Sequence, residues 1–423
     1  YHLPTLRVPG RDVTEPETLG TYESVQLFME RARSSKPGFT LTPENAPAVG
    51  RSVRRLDGIP LAIELAAARL KLLPPEQLAE RLDDRFRLLT GGSRTALPRQ
   101  QTLRALIDWS YDYLDPGEQA VFRQLGVFAG GWSLEAAEAV ADLETEFLLQ
   151  ETPSRDQPIK TQFLDAGLDV IDLLANLVNK SLVIMEEEGG AARFRFLETI
   201  RQYARDRLFE SGQGPAARDR HLNYFADLVI DNVPLGADET HLSLYSAIGS
   251  PEMMAWVLRA RSEIDNIRTA VEWALQTDPE LALAMAIKLP LLYFFAGTTI
   301  EPRQWLEESL QAVKMLPPAT GETAQRREIL LIRGALWVGN LQLGEGLQVK
   351  AVETLQTAVE KARENELPRM LAMALSLQSL AMSFLEQPGA FDTASEGLAL
   401  MEELGETTLK GIPLGSMVMA KMQ

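Results

Sequence analysis

Residues 57–69 read Asp57-Gly-Ile-Pro-Leu-Ala-Ile-Glu-Leu-Ala-Ala-Ala-Arg69, and no other stretch of the 423-residue chain says as much about its fold. Gly58 can adopt a backbone conformation closed to residues that carry a Cβ, and Pro60 fixes φ where a helix can begin. From Leu61 to Leu70 only Glu64 and Arg69 are charged, so the helix that follows must be largely buried. A Gly-x-Pro turn feeding a buried helix is also a way to bring backbone close to a ligand. Two readings are therefore open: a rigid corner between helices, and a platform for a bound molecule.

Working outward, the neighbouring segments are helical too. Residues 24–33 have amphipathic spacing. Thr42-Pro43-Glu44 is a helix-start signal, with a hydroxyl cap, a proline at the first position and an acid in the first turn, for a helix running to about Leu56. Pro74-Pro75-Glu76 starts another helix, which ends before Gly91-Gly92. The expectation is a four-helix subdomain over 22–92, preceded by an extended connector over 1–21 that carries three prolines and two glycines in its first twenty residues.

A second module follows over 98–213. Thr102 is expected to cap a helix over 103–114. Asp115-Pro116-Gly117-Glu118 has the pattern of a capping box, and Ser133 opens a helix over 134–142. Residues 143–166 read as a loop. A helix over 169–179 leads to Ser181-Leu-Val-Ile-Met185, a strand expected to pair with Arg193-Phe-Arg-Phe196 across Glu188-Gly189-Gly190. Another helix runs from about Glu198 to Phe209. Helices followed by a β-hairpin is winged-helix order.

Residues 215–423 read as helical throughout. Two similar amphipathic helices, 351–362 and 394–404, each follow a longer apolar helix (324–343 and 368–386) and a turn at Gly344 or Gly389. The spacing of roughly 43–45 residues predicts an array of helical hairpins like that of tetratricopeptide repeats. Trp256, Trp273, Trp305 and Trp337 are expected in hairpin cores. The fold class expected is mainly α: a four-helix subdomain, a winged-helix domain with a small β-hairpin, and a TPR-like helical hairpin array.

Composition narrows the chemistry. There is no cysteine, which excludes disulfides, thiolate metal sites and cysteine nucleophiles and fits a reducing cytoplasm. The three histidines, His2, His221 and His241, have no metal-ligand spacing. Net charge is −17, and it is uneven: residues 1–110 sum to +3 and the remainder to −20. An acidic body repels phosphate backbones, and the helices at 134–142 and 169–179 carry no Lys or Arg, so no direct nucleic-acid binding is expected. Residues 281–300 are apolar except for Lys288 and are interrupted by Pro290; two buried pieces are expected rather than a membrane span. No phosphate-binding Gly-x-x-x-x-Gly-Lys-Ser/Thr occurs, so this chain is not expected to hydrolyse ATP. Tyr1 in place of an initiator Met suggests a piece of a longer protein.

The opening run resembles the GLPLAIELAAAR signature of bacterial signal-transduction ATPases with numerous domains (STAND proteins, LuxR/AfsR-like regulators). These are relatives of the NB-ARC switch proteins of plant immunity and apoptosis. Further likeness lies, in the family's order, at residues 23–33, 99–112, 128–131, 177–183 and 196–204, so that it covers roughly residues 1–275. The resemblance implies a missing upstream ATPase core that binds ATP or ADP, with no cofactor expected on this chain alone. It implies that Gly58 and Pro60 pack against the nucleotide. The segment Phe194-Arg-Phe-Leu-Glu198 is similar in position to a Tyr-Arg-Met-His-Asp pattern whose histidine meets the β-phosphate of ADP. Leu197 stands there and cannot donate to phosphate, so Arg195 or Arg201 is the substitute, or these are simply surface charges on the wing. Of these, Gly58, Pro60 and Arg195 are the cofactor-binding residues proposed, with no catalytic and no metal residue. The implied function is regulatory. The helical array senses a protein or small-molecule inducer, the winged helix and the Gly-Ile-Pro-Leu turn control the ATPase core, and activation brings self-association. The alternatives are a stand-alone protein-interaction scaffold and a winged-helix transcription factor acting directly on DNA.

Overall fold

In the computed structural model the backbone turns at Gly58 with φ +65°, and Pro60 takes the first position of a helix, Pro60–Ala67, that tightens into a 3-10 turn over Ala68–Lys71. The structure describes residues 6–10, 13–56, 58–89, 98–142, 169–188, 190–230, 250–290, 292, 299–406 and 410–422. It is mainly helical, with one two-stranded antiparallel sheet among the described residues. It divides into two compact units, Tyr1–Arg220 and His221–Gln423.

The first unit opens with α1 (Pro16–Leu19), α2 (Glu23–Ser35), α3 (Ala46–Arg55), α4 (Pro60–Ala67) and α5 (Pro75–Leu89). Helix α2 packs on α4 and on the 3-10 turn, and α3 packs on α5. Val25, Phe28, Val49, Val53, Ile63, Leu65 and Leu78 form their shared core. The helix expected from Thr42 begins three residues later. Thr42 N–H donates to Asn45 Oδ1 (2.9 Å) and Asn45 N–H to Thr42 Oγ1 (3.4 Å). That reciprocal turn satisfies the polar groups locally before the helix starts.

Helix α6 (Pro98–Asp112) starts ahead of Thr102, which is therefore inside the helix and not its cap. It packs on both α4 and α5. Then come α7 (Pro116–Gln124), a 3-10 turn over Leu125–Val127, α8 (Leu134–Val140), α9 (Val170–Asn179), β1 (Ile184–Glu188), β2 (Ala191–Arg195) and α10 (Glu198–Glu210). The capping box is present: Glu118 N–H donates to Asp115 Oδ1 (2.8 Å) and Asp115 N–H to Glu118 Oε2 (2.9 Å). Ser133 Oγ accepts from Ala136 N–H at the start of α8.

The hairpin pairs Ile184 with Arg195 and Glu188 with Ala191. Trp132 adds an isolated antiparallel bridge beside the hairpin, exchanging two 2.8 Å backbone bonds with Phe194. Helices α7–α9, this hairpin and the Trp132 bridge make the winged helix. Its core is aromatic: the Trp132 ring lies against Phe128 and Phe196, and Phe122 against Phe196 and Tyr111, with centroids 4.9–5.6 Å apart. The loop expected at 143–166 lies outside the described residues, apart from which the module follows its expected order.

Helix α11 (Gly214–Ile230) contains the division between the units. The second unit continues with α12 (Pro251–Ser262), α13 (Ile264–Thr277), α14 (Pro279–Lys288), α15 (Ile300–Lys314), α16 (Gly321–Gly344), α17 (Gln348–Glu364), α18 (Pro368–Phe384), α19 (Ala390–Glu403) and α20 (Gly411–Lys421). From α13 onward each helix packs on the next, and α18 also meets α16 and α20. A continuous core built largely of Ala, Leu and Met runs through α16–α19, with Leu336, Leu355, Met373, Leu375 and Met401 buried. This is the expected TPR-like array. Gly344 does not make the turn after α16, because it is still helical; Gly346, with φ +77°, does. Trp256, Trp305 and Trp337 are buried as expected, and Trp256 Nε1 donates to the Leu228 carbonyl (3.0 Å). No helix among the described residues is long and apolar enough to cross a membrane.

Candidate functional site

The Gly58 turn is built by close backbone approach. Gly58 is buried, its N–H lies 3.4 Å from the Val53 carbonyl, and its own carbonyl accepts from Leu6 N–H (2.9 Å). A Cβ on Gly58 would lie 2.1 Å from the Leu6 carbonyl oxygen. The connector is thus laid directly against the turn, and only glycine permits it. It is anchored further along by Ser24 Oγ donating to the Arg7 carbonyl (2.6 Å) and by Arg54 donating to the Gly10 carbonyl (2.9 Å).

Pro60 is different: it is exposed at the first position of α4. The residue before it, Ile59, is the N-cap and supplies no side-chain hydrogen bond to the first turn of α4. Gly58 and Pro60 therefore share one turn with opposite faces, one sealed by the connector and one open.

Arg195 sits at the end of β2, and its guanidinium hydrogen bonds go across the hairpin to Glu186 (3.1 and 2.7 Å). The hydrogen bonds from Arg195 hold the Glu186 carboxyl below its ordinary value. Arg201 is similarly paired with Glu198 (2.8 and 2.7 Å). Leu197 is the N-cap residue of α10 and offers no capping side chain. The turn and the wing arginine thus each have defined surroundings, and both arginines must be shared with carboxylates in order to meet an anion.

The last residue of the opening run has a role that the sequence reading did not assign. Arg69 is buried in the 3-10 turn, and its guanidinium lies 5.7 Å from the Trp109 ring centre and 5.2 Å from that of Tyr113. Its Nη2 donates to the Ser110 carbonyl (3.2 Å). Burial pushes its ionisation down, opposed by Tyr113 and Glu118. Arg69 therefore ties the end of α4 to the C-terminal end of α6. The signal was visible: a lone arginine closing an apolar run, and an aromatic cluster at Trp109, Tyr111 and Tyr113.

Tyr203 and Arg207 of α10 both reach Asp108 of α6 (2.7 and 2.5 Å). Glu118 is buried and takes the Lys180 ammonium at the end of α9. The exposed residues of α9 are Ile171, Asp172, Ala175 and Asn179, none of them basic. A helix with that surface has no cation to offer a phosphate backbone. Among the described residues no group of three or more His, Asp or Glu could hold a metal.

No family model matches the chain. It is 37% identical over 381 residues to a Mycobacterium tuberculosis protein named "Putative HTH-type transcriptional regulator", covering 88% of this chain and 38% of that protein. It is 37% identical over 217 residues to an uncharacterized protein of the same species, covering 51% of this chain and 49% of the relative. The chain thus spans less than half the length of these relatives. Among solved structures it is similar to a Signal Transduction ATPase with Numerous Domains (STAND) protein with a tetratricopeptide repeat sensor from Pyrococcus horikoshii. That likeness covers 96% of this chain and 57% of that one, at 12% identity and a TM-score of 0.35, a level at which no function is carried across.

Proposed function

We propose that this chain is the regulatory part of a nucleotide-switched transcriptional or signalling regulator of the STAND kind, and that it does not itself hydrolyse ATP. The observation that supports this best is the two-faced turn at Gly58–Pro60. Gly58 fixes the connector by a backbone hydrogen bond, which leaves Pro60, at the first position of α4, exposed. In this reading an upstream ATPase domain presents ADP to that face, Pro60 covers the base or ribose, and the wing, through Arg195, closes over the phosphates. The helical array of the second unit receives the inducer and favours the open, ATP-bound form, which self-associates. An inducer does this only by binding the two forms with different affinity. The likeness to regulators named HTH-type agrees with a transcriptional output. With no cation on the α9 surface, the DNA contact is assigned to another part of the full-length protein.

Pro60→Ala in the full-length protein tests the clamp. Pro60 is exposed, so the fold tolerates its loss. Removing one apolar contact worth about 1 kcal/mol weakens ADP about fivefold. Unchanged ADP affinity defeats the clamp, and the lack of a phosphate-binding loop in the full-length sequence defeats the switch as a whole.

A further inference from the structure

The second unit contains a half-open cavity of about 450 Å³ lined by α15, α16, α17 and the segment between α15 and α16. We infer that it binds a small aliphatic carboxylate that carries a hydroxyl or amine donor beside its carboxylate, with the apolar chain inside and the head group between Lys314, Lys361 and Glu328. This deepens the sensor reading and rests on it for its regulatory consequence, while the binding itself rests on the cavity alone.

Three features of the cavity choose the ligand. Its body is lined by Leu310, Val313, Leu331, Ile332 and Ala335, with no aromatic side chain anywhere in the lining. Such a wall accepts an alkyl chain by apolar burial but offers no ring to stack on. The mouth carries three cations, Lys314, Arg327 and Lys361, against one carboxylate, Glu328. Arg327 is committed to holding the wall: its Nε donates to Glu280 (2.5 Å) and its Nη1 to the Pro317 carbonyl (2.6 Å). Lys361 is shared between Glu328 (3.7 Å) and Glu364 (3.4 Å), so Lys314 is the cation without a carboxylate among the described residues, and an anionic head group balances it.

The third feature is an orphaned acceptor. Glu328 is half-buried, and its inward oxygen, Oε2, makes no hydrogen bond among the described residues; it meets Lys361 Nζ only at ion-pair distance, 3.7 Å. A buried carboxylate oxygen left without a donor is costly unless something supplies one. A hydroxyl or amine next to the ligand's carboxylate supplies it, while the carboxylate itself takes the lysines. The volume is in the range of pockets that hold small organic ligands.

The test uses the purified chain and titration calorimetry with three probes below their micelle concentrations: 3-hydroxydecanoate, decanoate and decanol. The expected order is 3-hydroxydecanoate tightest, decanoate about tenfold weaker, and decanol weaker again. Glu328→Gln is expected to shrink the preference for the hydroxy acid over decanoate. Lys361→Met is expected to weaken both acids about tenfold and leave decanol unchanged. Among the described residues the Lys361 ammonium pairs with Glu328 at 3.7 Å and Glu364 at 3.4 Å, both partly exposed, so its loss leaves the fold intact, which a melting curve verifies. Decanol binding as tightly as the acids, Lys361→Met without effect on them, or no saturable binding of 3-hydroxydecanoate overturns the inference. The sensor reading fails separately: the hydroxy acid binds the chain, yet nucleotide exchange in the full-length protein does not respond to it.

Discussion

Replacing Gly58 by alanine should cost far more than replacing another left-handed glycine of the same unit, Gly190. Both have positive φ, +65° and +83°, so each substitution carries the penalty of an L-residue in that region, about 1–2 kcal/mol. At Gly190 nothing lies within 4 Å of the added Cβ, and the penalty ends there. At Gly58 the new Cβ would sit 2.1 Å from the Leu6 carbonyl oxygen and 3.2 Å from Val8 Cγ1. The first of these atoms is backbone and cannot rotate away. The connector must move, and the Leu6–Gly58 hydrogen bond of 2.9 Å goes with it, about another 1 kcal/mol or more. The total is roughly 2–4 kcal/mol, which opens α4 about 30- to 700-fold more often. Hydrogen exchange read by mass spectrometry on peptides spanning residues 60–67 of the Gly58→Ala chain measures this directly, with wing peptides of Gly190→Ala as the reference. If α4 in Gly58→Ala exchanges like the native chain, or loses no more protection than the Gly190→Ala wing, the turn is not sealed by the connector and the two-faced description is wrong.

Other consequences follow from buried polar groups. His221 is pushed down to about 4 by burial, against a hydrogen bond with Asn266 that raises it, so the folded form needs the neutral ring. The unfolded chain then binds the proton more readily: this stability is complete above about pH 6.5 and is lost as pH falls towards 4, by about 3 kcal/mol in all. Urea midpoints of the second unit should fall across that window in the native chain and stay flat in His221→Gln. At the start of α7, Asp115→Ala removes one half of the capping box and should cost about 1 kcal/mol in a denaturation series. Glu118→Ala removes the other half and leaves the Lys180 ammonium without its buried carboxylate, so it should cost roughly 2–4 kcal/mol. Arg69→Lys should be more damaging than Arg69→Met in the same assay, although it keeps the charge. The ammonium still has to be desolvated but cannot spread over Trp109 and Tyr113, whereas Met fills the stem volume without a charge; the reverse order would rule out the stacking account.

Much of the fold was legible because local chemistry and burial agreed. Pro60 and Pro75 start helices where a proline at the first position should, and Asp115 and Glu118 form the expected box. The misplacements have local causes. The strand expected from Ser181 begins at Ile184, because Ser181 adopts φ +57° and, with Leu182, closes the C-terminus of α9 by hydrogen bonds to Val178 and Leu177. Leu182 and Val183 are buried in that closing turn, and an apolar residue just past a helix reads in sequence like the start of a strand. Thr42 and Gly344 carry terminus signals that are not used: Thr42 is drawn into a reciprocal turn with Asn45, after which α3 begins, and the glycine two residues past Gly344 makes the left-handed turn instead. At the candidate site the Gly58 turn was legible and its partner was not. Nothing in residues 57–69 announces that Leu6, some fifty residues earlier, supplies the backbone against which Gly58 packs.

The run at 58–69 therefore does two separable things. At its start, Gly58 binds the connector by a backbone pair that no side chain larger than hydrogen permits. At its end, Arg69 binds α6 through two aromatic faces and a carbonyl. Between them, Ala62, Ile63, Leu65, Ala66 and Ala67 are buried against α2 and α6, so α4 has little freedom to shift independently of either end. A pull on the connector at Leu6 thus reaches α6 through one short rigid helix. From α6 it reaches α10 through Asp108, Tyr203 and Arg207. That chain of contacts is a physical route for coupling only if its ends have two positions. Pro60, exposed at the start of α4, lies on that route, and under the proposed function a nucleotide held there biases the choice between the two positions.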